Sequence, residues 1–81
     1  MKITILFHSY FRELAGCSEI REELPAGTTV AQLRPVLYTK FPKLKPLERS
    51  TLVAVGVEYQ TNDYQLQDGD EVSFFPPVQG G

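Results

Sequence analysis

Cysteine and histidine, the side chains most often used as nucleophile, base or metal ligand, occur once each here, as Cys17 and His8. They lie apart in sequence and neither has a motif around it, so Cys17 reads as a bystander. One cysteine can form no internal disulfide and no cysteine-built zinc or iron–sulfur site, so no metal site is expected. The chemistry-bearing segment is instead the last one, Phe75-Pro76-Pro77-Val78-Gln79-Gly80-Gly81. Two prolines stiffen the chain in an extended form, and six residues beyond Phe75 reach at most about 20 Å at ~3.3 Å each. Gly80 and Gly81 have no side chains, so this end can thread a channel too narrow for any β-carbon. Such a tail suits delivery of its carboxylate into another protein's active site. The plainer alternative is a frayed terminus. A carboxylate is a poor acyl electrophile until one oxygen becomes a leaving group. With no acid–base or nucleophilic set of its own, the chain needs a partner to activate it.

A compact domain must launch such a tail. Eighty-one residues suffice for one domain, and 42% hydrophobic with 22% charged residues is ordinary for a globular chain. Lys2 to His8 alternates Ile3, Ile5 and Phe7 against Lys2, Thr4 and His8, a half-buried strand. Tyr10 to Gly16 reads as a turn or a single helical turn stopped by Gly16, and Glu19 to Leu24 alternates again. Thr29 to Gln32 fits a capping box, and Val30, Leu33, Leu37 and Phe41 share one helical face over residues 30–41. Pro35 interrupts that helix and predicts a bend near Ala31 to Pro35. Pro42 to Ser50 reads as a surface connection. Thr51 to Val55 reads as a fully buried strand, Gly56 to Tyr59 as a turn and short edge strand, and Glu71 to Phe75 as the last strand after the Asp68-Gly69-Asp70 turn. One main helix on a four- to five-stranded mixed sheet makes an α+β roll over residues 1–75, with residues 76–81 as its tail.

Charge is unevenly placed. Residues 1–49 carry all eight Lys and Arg against five acids, a balance of +3. Residues 50–81 carry five acids and no base, a balance of −5. The net −2 argues against a general nucleic-acid binder. No signal peptide and no long apolar span is legible, so a cytoplasmic protein with no membrane partner is expected. The acidic C-terminal half suits a basic partner.

Asp68-Gly69-Asp70-Glu71-Val72, then Phe75-Pro76-Pro77-Val78 and Gly80-Gly81, resemble the C-terminal signature of molybdopterin synthase small subunits, within the ubiquitin-like β-grasp sulfur carriers. Arg12-Glu13-Leu14 with Gly16, Thr28-Thr29-Val30 and Leu52-Val53-Ala54-Val55 are similar at their expected places, so the resemblance spans the chain. It implies a β-grasp fold and a carrier cycle. A ubiquitin-activating-like adenylyltransferase would adenylate the Gly81 carboxylate with ATP and magnesium, and a sulfur-donating enzyme would turn it into a thiocarboxylate. The tail, Pro76, Pro77, Val78, Gln79 and Gly80, would then enter the large subunit and donate sulfur to a cyclic pyranopterin monophosphate, building the molybdopterin dithiolene. The family forms heterotetramers, and no cofactor would be bound permanently.

Alternation sends Phe74 and Phe75 to opposite faces, and the resemblance favours Phe75 as the exposed interface anchor. Tyr59 joins it from a neighbouring strand, and Asp68, Asp70 and Glu71 help dock the tail. Two positions depart from the family pattern. Gly56 stands where Asn is common, which touches a local turn hydrogen bond. His8 stands where an apolar or aromatic residue often faces the large subunit, although a solvated strand histidine is the simpler expectation. Three other functions fit a Gly-Gly end: sulfur donation to thiazole synthesis, a ubiquitin-like protein modifier, and a plain interaction module.

Overall fold

The alternation of Ile3, Ile5 and Phe7 makes Lys2–Phe7 the first strand, β1, with those three side chains inward and buried. The computed structural model describes residues 1–77. After β1 come a short helix α1 (Phe11–Ala15), β2 (Glu19–Glu23), the main helix α2 (Val30–Lys40), a 3-10 helix (Pro42–Ser50), β3 (Leu52–Val55), β4 (Glu58–Tyr59) and β5 (Glu71–Phe75). The sheet has five strands in the order β2-β1-β5-β3-β4. Only the central β1–β5 pair is parallel, so the sheet is mixed as expected.

The capping box forms as its residue types require. Thr29 Oγ1 accepts from the Gln32 N–H at 3.2 Å, and the Thr29 N–H donates to Gln32 Oε1 at 2.9 Å. Thr29→Ala loses the Oγ1 acceptor but keeps the backbone N–H bond to Gln32, and is expected to cost about 1 kcal/mol, lowering Tm by roughly 4–8 °C in a domain this size. A thermal melt showing no change would mean that the cap is not limiting. Helix α2 continues through Pro35 as one element. The ring removes one donor, to Ala31, and both residues lie on the exposed side, where water can meet the freed carbonyl. Gly16 ends α1 in the left-handed region, φ 80°, its N–H donating to the Arg12 carbonyl.

Two expectations change. Pro42–Ser50 is a 3-10 helix instead of a plain connection, with Leu44 buried and Leu47 half-buried. A three-residue spacing stacks side chains on one side of a 3-10 helix, and Pro42 in its first turn gives up a donor that would have no partner anyway. The strand expected to be fully buried exposes its first residue: Leu52 is 37% exposed, whereas Val53 and Val55 point into the core. The physical reason is one-sided cover. Phe11, Val30, Leu33, Leu37 and Leu44 pack with Phe7, Val72 and Phe74 against a single face of the sheet. Phe7 holds Phe41 edge-on at 5.2 Å. Burial of each such aromatic contributes roughly 1.5–3 kcal/mol. Among the described residues no helix is long and apolar enough to cross a membrane.

Candidate functional site

The uncovered face of the sheet gathers its aromatics at one end. Phe74 and Phe75 do part to opposite faces: Phe74 is 1% exposed in the core and Phe75 is half-buried on the other side. Because β1 and β5 run parallel and Phe7 pairs with Phe74, the next residue of β1, His8, lies beside Phe75. Their rings stack at 4.3 Å between centroids and 12° between planes. Tyr59, 67% exposed, meets Phe75 edge-on at 6.2 Å. Tyr59 is not on a neighbouring strand of Phe75; β3 lies between them. It reaches across because its β3 partner is the small Ala54, whose other partner is Ser73 of β5. Leu52 pairs directly with Phe75 and extends the apolar surface. Leu52, Ala54 and Ser73 were not singled out from the sequence, yet the period-2 pattern of β3 and β5 does place them on the face of Phe75.

The chain leaves the sheet at this patch. Pro76 and Pro77 follow Phe75, are half-buried, and continue no strand; neither has an N–H for a ladder. Val78, Gln79, Gly80 and Gly81, the remaining tail residues expected to matter, lie outside the described residues. Just past His8, Ser9 takes φ 58°, the one non-glycine residue of positive φ among the described residues. The backbone there is held from both sides: the His8 N–H donates to the Phe74 carbonyl at 3.2 Å, and its carbonyl accepts from the Phe11 N–H at 3.2 Å.

The acidic residues occupy the opposite end of β5, about 13 Å from Phe75 at ~3.3 Å per step. Asp68 Oδ1 accepts from the Lys2 N–H at 2.7 Å, and Asp70 Oδ2 accepts from the Gln67 N–H at 2.8 Å. These two carboxylates hold the turn entering β5. The Tyr64 phenol, which donates to Asp70 Oδ2 at 3.4 Å, is raised above its ordinary pKa by burial first and then by that carboxylate. Glu71 is exposed beside Thr4. The structure therefore joins Phe75, Tyr59 and His8 and keeps Asp68, Asp70 and Glu71 apart from them. Gly56 has φ 62° and gives its N–H to the Glu71 carbonyl at 2.9 Å. Glycine and asparagine are the residues that tolerate this region best, so the departure from the family pattern is conservative. Cys17 is half-buried against the core and away from any ligand-like cluster.

An uncovered apolar face beside a stiff exit segment can seat a partner while the tail extends into it. The pattern of the ThiS family matches residues 5–81. The chain is 37% identical to the "Molybdopterin synthase sulfur carrier subunit" of Escherichia coli (strain K12), over 98% of this chain and 99% of that one. It is similar in structure to the "Putative molybdopterin converting factor, subunit 1" from Pyrococcus furiosus, with TM-score 0.87, 32% identity, and coverage of 96% of this chain and 99% of that chain. A structure titled as a "Protein-protein complex of subunit 1 and 2 of Molybdopterin-converting factor" from Helicobacter pylori shares the fold at TM-score 0.73 and 23% identity, each chain covered fully.

Proposed function

This chain belongs to the ThiS family, and on that premise we propose that it is the sulfur-carrier subunit of a molybdopterin synthase. The observation that carries the proposal is the aromatic face of Phe75, Tyr59 and His8 at the point where the Pro76-Pro77 segment leaves β5. A large subunit would dock on that face, with two copies of each subunit in the assembly, and receive the tail. Because Phe75 ends β5, the rigid sheet sets where the tail starts and the prolines limit its directions.

The tail's chemistry follows from what a carboxylate lacks. A Gly81 oxygen would attack the α-phosphorus of ATP in an activating partner, with magnesium there and pyrophosphate leaving. A sulfur nucleophile from a donor enzyme would then displace AMP at the carbonyl carbon and leave a thiocarboxylate. In two such transfers sulfur would pass to a cyclic pyranopterin monophosphate inside the large subunit, water taking the acyl carbon each time and restoring the Gly81 carboxylate. The ThiS match also fits sulfur donation to another pathway, whereas the relatives' names favour molybdopterin.

Intact-mass measurement of protein drawn from its own cells tests the carrier step. The covalent intermediate replaces one terminal oxygen by sulfur, adding about 16 Da. That species is expected to vanish in cells lacking the activating enzyme. Its absence from wild-type cells engaged in cofactor synthesis, or a ladder of lysine conjugates in its place, would overturn the proposal.

A further inference from the structure

Among the described residues, one buried side-chain polar atom has no hydrogen-bond partner: Nε2 of His8. Buried polar atoms are nearly always paired, so an orphan on a docking face calls for a physical account. The ring carrying it lies flat on Phe75. Its backbone is held by the Phe74 carbonyl and the Phe11 N–H, so only the side chain is free to respond to a change of charge.

We infer that His8 couples docking of the large subunit to its own protonation: the neutral ring holds the aromatic face in its docking form, and the protonated ring takes that form apart. This rests on the proposal that the face receives the large subunit. A neutral imidazole needs a donor at only one nitrogen and can leave the other buried at modest cost. An imidazolium carries N–H donors at both. Keeping a charged N–H from water without an acceptor costs far more than burying a neutral nitrogen. The face of Phe75 attracts a cation, yet it supplies no acceptor at Nε2. The protonated ring is therefore driven outward to water, uncovering Phe75 and leaving Tyr59 with a moved partner.

The charged and titratable groups on the surrounding elements do not remove this orphan. Glu19 of β2 stands opposite Leu6, and Cys17 lies in the turn before β2. Arg12 of α1 directs Nε at the Ser9 carbonyl, and Glu13 is in the first turn of the same helix. The Tyr59 phenol of β4 lies beyond Phe75. Lys2 and Glu71 occupy the far ends of β1 and β5. None of them hydrogen-bonds Nε2.

Two measurements test the inference. In the free chain, ring-proton NMR from about pH 7.5 to about pH 5.5 follows a single imidazole, since His8 is the only histidine. Signals of Phe75 and Tyr59 are expected to shift with the same midpoint as those of His8. If they stay still while His8 titrates, the coupling does not exist. In the second measurement, affinity for the purified large subunit should weaken about tenfold over that pH range, and by less than about twofold in His8→Phe and His8→Gln. Equal pH slopes in all three proteins, with tight binding retained, would overturn the proton coupling and leave the docking face standing. No complex at any pH would remove the docking face and the coupling together.

Discussion

Removing Gly81, or adding one residue after it, is expected to abolish sulfur transfer while the domain unfolds at the same temperature. Among the described residues the core ends with Phe74 and includes neither Pro76 nor Pro77. Stability is therefore expected to be insulated from the change. Activity is not, because the reacting atom would be the terminal carboxylate itself. One residue moves that carboxylate by about 3.3 Å along an extended chain, whereas misplacement by about 1 Å already costs on the order of a hundredfold in rate. The effect therefore exceeds a graded loss. A reconstituted assay with purified large subunit, activating enzyme and sulfur source measures it. Product formation by a chain extended past Gly81 would show that the terminal carboxylate is not the carrier group.

Phe74 and Phe75, adjacent in sequence, are expected to give opposite phenotypes. Phe75→Ala removes the ring on which both His8 and Tyr59 lean. A central aromatic anchor of this kind contributes about 2 kcal/mol or more to an interface, so affinity for the large subunit should fall by roughly thirtyfold or more. The folded domain should barely change, since the ring sits outside the core. Phe74→Ala instead empties a site that is 1% exposed, next to Phe7 at 6.4 Å. That costs about 3–5 kcal/mol, a large share of a small domain's 5–15 kcal/mol. Titration calorimetry and urea unfolding, run on both variants, separate the two effects. Unchanged binding by a folded Phe75→Ala protein would mean the partner docks elsewhere.

Much of this was legible in the residues because the relevant forces are local. The Thr29–Gln32 box, the Val30, Leu33 and Leu37 stripe, and the alternation of Ile3, Ile5 and Phe7 each express a period within one element. The parting of Phe74 from Phe75 follows from the same rule. What was illegible depends on neighbours distant in sequence. Tyr38, outside the Val30, Leu33 and Leu37 stripe, is buried in the same core cluster as Leu44 and Leu66. The Leu44 and Leu47 pair is hard to see in the sequence because two prolines mask a 3-10 period. Asp68 and Asp70, expected to help dock the tail, hold the turn before β5 instead; the Asp68 bond to the Lys2 amide depends on the first and last strands lying side by side, whereas Asp70 accepts from Gln67 within its own turn.

By itself, then, the sequence determined the α+β class, the alternating core and a Pro-Pro step and Gly-Gly ending after the last strand, because each is written in a run of contiguous residues. Only the tertiary structure decided where that tail is launched and what surrounds its root. The parallel pairing of β1 with β5, which joins residues 67 positions apart such as Leu6 and Ser73, sets His8 on Phe75, and the small Ala54 lets Tyr59 lean across β3. One-sided cover by the helices leaves that aromatic face open. Such contacts arise from strand register and from which face of the sheet is covered, and no local period specifies either.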